Sequence, residues 1–266
     1  MSAAIAVAAT APFGADVLER LAKRFEVRAL LTRPDAPAGR GQRLRPPPAK
    51  VVAERLGIPV LQPARLEPGL PLDADVVVAV AYGLIVPEPL LTERLWLNVH
   101  PSLLPRWRGA APVERAIMAG DRETGVTVIE LVPELDAGPI AAQRAFPIAP
   151  DDDAGAVYAK AASLAVELLE EALPEPSFVP QPSEGATYAA KITAADRELD
   201  LSRPAQELVD RVRALSPHIG ARATLEGRPV LVWRARVAED GSFEPLEVQP
   251  EGGRRMTVEE WLRGLR

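Results

Sequence analysis

Apolar and polar residues along the first half of the chain fall into blocks that predict strands and helices in turn. Ala3 to Ala9 is a continuous apolar run, and Phe13 to Phe25 has the apolar spacing of an amphipathic helix. Glu26 to Thr32 is a second strand pattern, and Asp75 to Ala81 is an apolar run typical of strands buried on both faces. This alternation predicts a mostly parallel sheet whose strands are joined by right-handed helical crossovers.

One strand in the middle of the chain ends in polar residues. Leu95 to Val99 is short and rich in apolar residues, and it runs into His100 and Pro101. Alternate residues of a strand share a face, so Asn98 and His100 should point the same way at its carboxyl end, where open α/β sheets bind ligands. The alternative interpretation is that both residues simply close a strand.

Asp136 is the third candidate for a site at this edge. It lies in a predicted loop, Pro133 to Gly138, that follows a predicted strand, Gly125 to Val132. An asparagine amide can donate to a developing oxyanion, a protonated histidine can do the same, and a neighbouring aspartate favours the charged histidine. Such a trio suits acyl transfer in which the substrate supplies its own nucleophile, without a Ser-His-Asp triad or a Cys-His pair.

Size and composition are those of an ordinary globular protein with one large and one small domain. The chain has 266 residues, of which 47% are hydrophobic and 26% are charged. It has no cysteine and two histidines, so we expect neither disulfides nor a bound metal. The first residues lack a basic region, and charge interrupts the apolar stretch by Asp16, so we expect a cytoplasmic protein without a signal peptide or membrane span.

Charge is distributed unevenly along the chain. The net charge of −6 argues against a general binder of polyanions. Arg33 to Lys50 nevertheless carries five basic residues and one acid, and Arg203 to Val237 carries seven arginines and three acids, a local charge of +4 in each case. Both segments are candidate phosphate-contacting surfaces, and ordinary solvated surface is the alternative interpretation.

The segment from Leu97 to Ile140 resembles the methionyl-tRNA formyltransferase family. It reads LNVHPSLLPRWRGAAPVERAIMAGDRETGVT and closes with LDAGPI. The wider group of folate-dependent formyltransferases shares the pattern Asn-x-His-Pro-Ser-Leu-Leu-Pro. The turn Arg106 to Pro112, together with the basic loop Leu31 to Lys50, is more specific to the tRNA enzymes. Val77 to Pro87 and Thr187 to Val237 extend the resemblance over nearly the whole chain.

The resemblance implies an α/β architecture in two parts. A Rossmann-like, mostly parallel sheet of the formyltransferase fold should occupy residues 1–180, and a linker should occupy residues 181–203. A small C-terminal domain of the oligonucleotide-binding (OB) barrel type, which aids tRNA binding, should follow at residues 204–266. This sequence departs from the family in two places: alanines stand at Ala9 and Ala11 where a glycine and a proline are usual, and the C-terminal domain is shorter.

The resemblance also assigns roles to residues. Asn98 and His100 would stabilise the oxyanion, and Asp136 would hold His100 charged and take a proton. The formyl donor, 10-formyltetrahydrofolate, would contact two turns, and those residues are Tyr82, Gly83, Leu84, Ile85, Ser102, Leu103, Leu104 and Pro105. The 3′ end of methionyl-initiator tRNA would contact four arginines, namely Arg40, Arg43, Arg106 and Arg108. A monomer is implied.

Two other functions remain open from the sequence. One is a folate-dependent formyltransferase that acts on a small amino-sugar nucleotide or a ribonucleotide and uses the same Asn98, His100 and Asp136. The basic segments count against it, because a small substrate needs neither. The other is an RNA-binding protein that keeps the scaffold without catalysis, and the complete Asn-His-Asp set counts against it.

Overall fold

The computed structural model describes residues 4–38, 41–182 and 184–265. The elements of the first 172 residues are, in chain order, β1 (Ala4–Ala9), α1 (Pro12–Leu21), β2 (Glu26–Leu31), β3 (Ala36–Ala38), β4 (Arg43–Arg45), α2 (Pro48–Arg55), β5 (Val60–Leu61), β6 (Val76–Val80), α3 (Glu88–Glu93), β7 (Leu95–His100), β8 (Arg108–Gly109), α4 (Pro112–Met118), β9 (Glu123–Glu130), β10 (Ile140–Pro147) and α5 (Ala154–Ala172). The elements that follow are β11 (Tyr188–Ala189), a short 3₁₀ helix (Ala195–Arg197), α6 (Ala205–Leu215), β12 (Ala221–Leu225), β13 (Arg228–Val237), β14 (Phe243–Pro250), β15 (Met256–Thr257) and α7 (Val258–Arg263).

The chain divides into two compact units, each built from several segments. The described residues of the first unit fall within Met1–Arg108, Gly125–Ala145 and Ala159–Thr187, and those of the second within Gly109–Thr124, Phe146–Tyr158 and Tyr188–Arg266. These units describe packing within the chain. The boundaries expected for a catalytic domain, a linker and a C-terminal domain stay predictions.

A seven-stranded sheet forms the centre of the first unit, in the order β10-β9-β7-β6-β1-β2-β5. β1 pairs in parallel with β2 and β6, β6 pairs in parallel with β7, and β2 pairs in parallel with β5. β9 runs antiparallel to β7. The prediction of a mostly parallel α/β sheet is confirmed, and the continuous apolar runs of β1 and β6 are buried within it.

Close packing of α1 on the sheet depends on one glycine. The helix buries Phe13, Val17 and Leu18. A Cβ atom at Gly14 would overlap with the carbonyl oxygen of Val80 at the end of β6. Any larger residue at this position would push the helix off the sheet, because packed interiors leave no room for an added methyl group.

Several elements differ from the predicted ones. α1 ends at Leu21 rather than at Phe25. The basic loop Leu31 to Lys50 contains the short hairpin β3–β4. Neither α3 nor β14 was predicted. These elements are either three to six residues long or only partly buried, so their apolar periodicity is too weak to detect.

The second unit contains a four-stranded antiparallel sheet in the order β12-β13-β14-β15. β12 and β13 form a hairpin that turns at Glu226 and Gly227. Both residues have positive φ angles, 48° and 71°, as the common two-residue hairpin turn requires. Leu208 and Val212 of α6 and Trp261 of α7 are buried against this sheet. The expected small β domain at the C-terminal end is therefore present.

None of the helices that the structure describes combines the length and the hydropathy that a membrane-spanning segment needs.

Candidate active site

β7 places the first two candidate residues. It lies between β6, its parallel neighbour, and β9, its antiparallel neighbour. Asn98 and His100 are two positions apart at the carboxyl end of the strand and share a face. Only 6% of the His100 side chain is exposed.

Asp136 completes a three-residue cluster. The Nδ2 atom of Asn98 donates to Oδ1 of Asp136 at 3.2 Å, and Nδ1 of His100 lies 3.7 Å from Oδ2. The Asp136 side chain is 9% exposed. Its backbone is in the left-handed region, with a φ of 49°, which aspartate tolerates better than most residues. The structure thus brings together the three side chains that the sequence singled out.

The hydrogen-bond partner of Nε2 shows that this ring nitrogen of His100 carries a proton. Nε2 lies 2.7 Å from the carbonyl oxygen of Trp107, and a carbonyl only accepts, so Nε2 donates. Nδ1 faces the carboxylate of Asp136. Both ring nitrogens therefore face oxygen atoms, Nε2 at hydrogen-bond distance and Nδ1 at 3.7 Å.

The loop that carries Asp136 is packed tightly. A Cβ atom at Gly138 would overlap with the carbonyl oxygen of Glu130 in β9, so a glycine is required there. Gln181 donates through Nε2 to the carbonyl oxygens of Asp136 at 2.8 Å and Gly138 at 2.7 Å. The sequence did not indicate Gln181, because it stands alone between prolines and belongs to no periodic pattern.

A hydrogen-bond network, buried at Thr127 and Ser102, holds the Ser-Leu-Leu-Pro turn after β7. Thr127 on β9 donates through Oγ1 to the Ser102 carbonyl oxygen at 2.7 Å and accepts from the Leu104 N–H at 3.1 Å. Gln143 on β10 donates to the Leu104 carbonyl oxygen at 2.9 Å. Ser102 donates through Oγ to the Arg106 carbonyl oxygen at 2.7 Å. Sequence reasoning missed Thr127 and Gln143, which lie in strands as ordinary polar residues.

The turn after β6 presents one buried and several exposed residues. Tyr82 is only 4% exposed and packs in the core of the first unit. Its Oη has no hydrogen-bond partner among the described residues, and burial raises the pKa of Tyr82 to about 12, against a smaller opposing effect of Arg33. Gly83 has a φ of 76°, while Leu84 and Ile85 are 38% and 88% exposed.

The two candidate folate turns lie at the same edge of the sheet. One follows β6 and the other follows β7, and these strands are parallel neighbours. Parallel neighbours end at the same side, so the apolar side chains of Leu84 and Ile85 and the turn from Ser102 to Pro105 belong to one edge.

The candidate arginines differ in their surroundings. Arg43 is exposed on β4. Arg106 is exposed, and its guanidinium lies over the ring of Trp107, 4.3 Å from the centroid. Arg108 is buried, and its guanidinium donates to Oε1 of Gln181 at 3.2 Å and 2.7 Å. Arg40 lies outside the described residues, so the prediction for it rests on the sequence.

Comparison with known proteins identifies the family. Residues 1–173 match the family described as formyl transferase, and residues 191–245 match the formyl transferase C-terminal domain. A methionyl-tRNA formyltransferase of Paracoccus denitrificans (strain Pd 1222) is 41% identical over 285 residues, which cover 96% of this chain and 95% of the relative. The chain belongs to the methionyl-tRNA formyltransferase family. The resemblance proposed from the sequence is therefore confirmed.

Solved structures share the formyltransferase fold. The methionyl-tRNA formyltransferase from Clostridium thermocellum matches with a TM-score of 0.68 at 16% identity, over 93% of this chain and 98% of the other. HypX from Aquifex aeolicus matches with a TM-score of 0.70 at 20% identity, over 98% of this chain and 49% of the other, so this chain spans about half the length of HypX. At these identities the likeness concerns the fold.

Within the described part of this formyltransferase, no group of three or more His, Asp or Glu side chains is placed to hold a metal ion. The polar side chains of the site instead contact one another and the backbone.

Proposed function

We propose that the protein transfers the formyl group of 10-formyltetrahydrofolate to the amino group of methionine on initiator tRNA. The observation that carries the proposal is the contact of Asn98 and His100 with Asp136 at the carboxyl edge of β7, in a chain of the methionyl-tRNA formyltransferase family. Formylated initiator tRNA is used where translation begins, so we place the reaction in the cytoplasm.

The substrate amine serves as the nucleophile. A free α-amino group has a pKa of roughly 7.7–8.0, so a useful fraction is neutral near pH 7. The amine nitrogen attacks the formyl carbon, a carbon–nitrogen bond forms, and the formyl oxygen becomes an oxyanion. When the intermediate collapses, the bond to the folate nitrogen breaks, and that nitrogen takes up the proton that the amine has lost. No covalent bond to the protein is needed.

In the proposed reaction, Asn98 and His100 stabilise the oxyanion. One N–H of the Asn98 amide points to Asp136, and the other remains for the substrate. The Nδ1 atom of His100 is 3.7 Å from the carboxylate, which is too long for a hydrogen bond, so in the charged ring this N–H can donate to the oxyanion. Losing one such donor typically costs roughly 2.7–4 kcal/mol of transition-state stabilisation.

Asp136 has two roles in the proposal. Its negative charge beside Nδ1 keeps His100 charged, and its carboxylate can take the proton of the attacking amine, directly or through one water molecule. The carboxylate is nearly buried, so its charge acts in a medium where water screens little.

The substrates are assigned to different surfaces of the first unit. The exposed apolar side chains of Leu84 and Ile85, with the open backbone at Gly83, suit the flat ring of the folate. The exposed arginines Arg43 and Arg106 suit the phosphates of the tRNA 3′ end, and Arg40 is assigned with them from the sequence.

The experiment is a formylation assay. Purified protein is mixed with 10-formyltetrahydrofolate and methionine-charged initiator tRNA, and the aminoacyl ester is analysed for N-formylmethionine. Rapid product that depends on both substrates is expected. If tRNA is not formylated while a small amino-sugar nucleotide or glycinamide ribonucleotide is, the proposed acceptor is wrong and the alternative formyltransferase replaces it.

A further inference from the structure

Gln181 contacts the loop that carries Asp136, although no step of the proposed reaction uses it. Its Nε2 donates to the carbonyl oxygens of Asp136 and Gly138, at 2.8 Å and 2.7 Å. Both amide hydrogens of Gln181 are therefore donated to carbonyl oxygens of the same turn. The two bonds hold the backbone on either side of Ala137.

Arg108 holds the other end of the same amide. Its Nε and Nη2 atoms donate to Oε1 of Gln181 at 3.2 Å and 2.7 Å, and the Arg108 side chain is only 10% exposed. An arginine only donates and a carbonyl only accepts, so these partners leave a single orientation for the Gln181 amide. Gln181 is therefore a bridge of defined direction from Arg108 to the Asp136 loop.

The segment that carries Arg108 also contacts His100, the histidine of the proposed reaction. Trp107, which precedes Arg108, accepts a hydrogen bond from Nε2 of His100 at 2.7 Å. The other ring nitrogen of His100 faces Asp136 at 3.7 Å. The turn that carries Trp107 and Arg108 is thus connected to the Asp136 loop through His100 and also through Gln181. A shift of either segment should therefore change the distance between His100 and Asp136.

We propose that Gln181, held by Arg108, is a positioning residue that sets the Asp136 carboxylate relative to His100. The proposal rests on the proposed function, because it concerns the same reaction. Asp136 has a φ of 49°, a conformation that aspartate tolerates better than most residues but that still costs free energy outside glycine. The hydrogen bond from Gln181 to its carbonyl oxygen helps to hold it there. A misplacement of about 1 Å at a reacting group can cost about 100-fold in rate.

The first test separates the donor half of the Gln181 amide from its acceptor half. In Gln181→Glu the side chain keeps its volume and still accepts from Arg108, but it no longer donates to the two carbonyls. We expect kcat to fall about 10- to 100-fold, with the KM for each substrate and the thermal midpoint nearly unchanged. Glu67→Gln, the reverse exchange of carboxylate and amide at an exposed residue of the first unit, is the control and should keep wild-type kcat.

The second test asks whether Gln181 acts through Asp136. In an Asp136→Asn background, Gln181→Glu should change kcat by less than about 2-fold, because residues that work as a unit are non-additive. If Gln181 had only a general structural role, the falls in kcat caused by Gln181→Glu and by Asp136→Asn would multiply instead. If Gln181→Glu does not fold, Gln181→Met, which has similar length and no polar atoms, takes its place in the same cycle.

The third test distinguishes Arg108 from a tRNA contact. Arg108→Lys keeps the charge but cannot donate two bonds in one plane, so kcat should fall while the KM for tRNA and its salt dependence stay constant. A raised KM for tRNA with a reduced salt dependence would make Arg108 a phosphate contact and overturn its positioning role.

The outcomes separate this proposal from the proposed function. Wild-type protein without formyl transfer would overturn the proposed function, and the role of Gln181 with it. An active wild-type enzyme whose Gln181→Glu variant turns over normally, or whose losses multiply with Asp136→Asn, would overturn only the role of Gln181.

Discussion

Two polar segments of the first unit, the Asp136 loop and the β3–β4 hairpin, have opposite surroundings. The loop from Pro133 to Gly138 is held by β9 and Gln181, and its aspartate is nearly buried. In the hairpin, Arg43, Leu44 and Arg45 are all exposed, Leu44 to 69%. The difference teaches that the proposed reacting groups are held in place by the protein itself, whereas the arginines proposed to bind tRNA are exposed to solvent.

The hairpin is nevertheless fixed at its base. Lys50 donates to both carboxylate oxygens of Asp35 at 2.8 Å and 3.0 Å, and Gln62 donates to Asp35 at 2.8 Å. These contacts hold the pKa of Asp35 below its ordinary value, and the hydrogen bond from Gln62 has the largest effect. Lys50 is thereby occupied within the protein, so the exposed arginines further along the hairpin are the better candidates for phosphate binding.

The largest effect is expected from the buried side of the comparison. Asp136→Asn keeps an acceptor for Asn98 but removes the charge beside His100, so turnover should fall by about 10²- to 10⁴-fold. Thermal unfolding should show an intact fold. The control is Asp73→Asn, since the Asp73 side chain is 89% exposed. Near-normal turnover of Asp136→Asn would remove this residue from the mechanism.

A glycine substitution in the same loop tests its packing. In Gly138→Ala the added methyl group would overlap with the Glu130 carbonyl oxygen, so the loop must move. We expect the free energy of unfolding to fall by about 1–3 kcal/mol and kcat to fall with it, because the moved loop carries Asp136. Gly264→Ala is the control, since a Cβ atom there would be 3.4 Å from its nearest neighbour. Wild-type stability and turnover in Gly138→Ala would show that the loop is loose.

The sequence predicted the features that follow from the spacing of apolar and polar residues within a single strand or helix. The apolar runs of β1, β6 and β7 identified the central strands, and the alternation of residues along β7 placed Asn98 and His100 on one face. In α6, Ala205–Leu215, the buried residues likewise recur at the spacing of an amphipathic helix. These features follow from the geometry of single elements, which a sequence displays directly.

The remaining features depend on partners that are distant in the chain. Gln181 and Asp136 are 45 residues apart, and nothing in either segment indicates the other. Arg106 and Arg108 are identical in type and flank one tryptophan, yet one is exposed and the other is buried against Gln181. The family resemblance assigns both to tRNA, and only their three-dimensional partners distinguish them.

The turn after β6 shows the contrast between buried and exposed residues on a smaller scale, because Tyr82 is buried while its neighbours are exposed. The unfolded phenol ionises near pH 10 and the folded one near pH 12, so the folded state prefers the neutral form. Its contribution to stability is therefore complete below pH 10 and is lost as the pH rises towards 12, by at most about 2.7 kcal/mol. Urea unfolding of the wild type and Tyr82→Phe between pH 8 and 12 measures it. Parallel curves for the two proteins would contradict the burial of this hydroxyl.

The smallest effect is expected from the exposed side of the comparison. Arg43→Ala and Arg106→Ala should each raise the KM for tRNA only several-fold, because a solvated charge contributes on the order of 1 kcal/mol, while kcat at saturating tRNA stays near that of the wild type. Each loss should also reduce the slope of log affinity against log salt by about 0.7–0.9. Arg144→Ala removes an exposed arginine that is paired with Glu167 and Glu171, so it should leave both quantities unchanged. If Arg43→Ala lowers kcat instead of raising KM, the hairpin takes part in the chemical step, and the division between a preformed reaction centre and a solvated binding surface no longer holds.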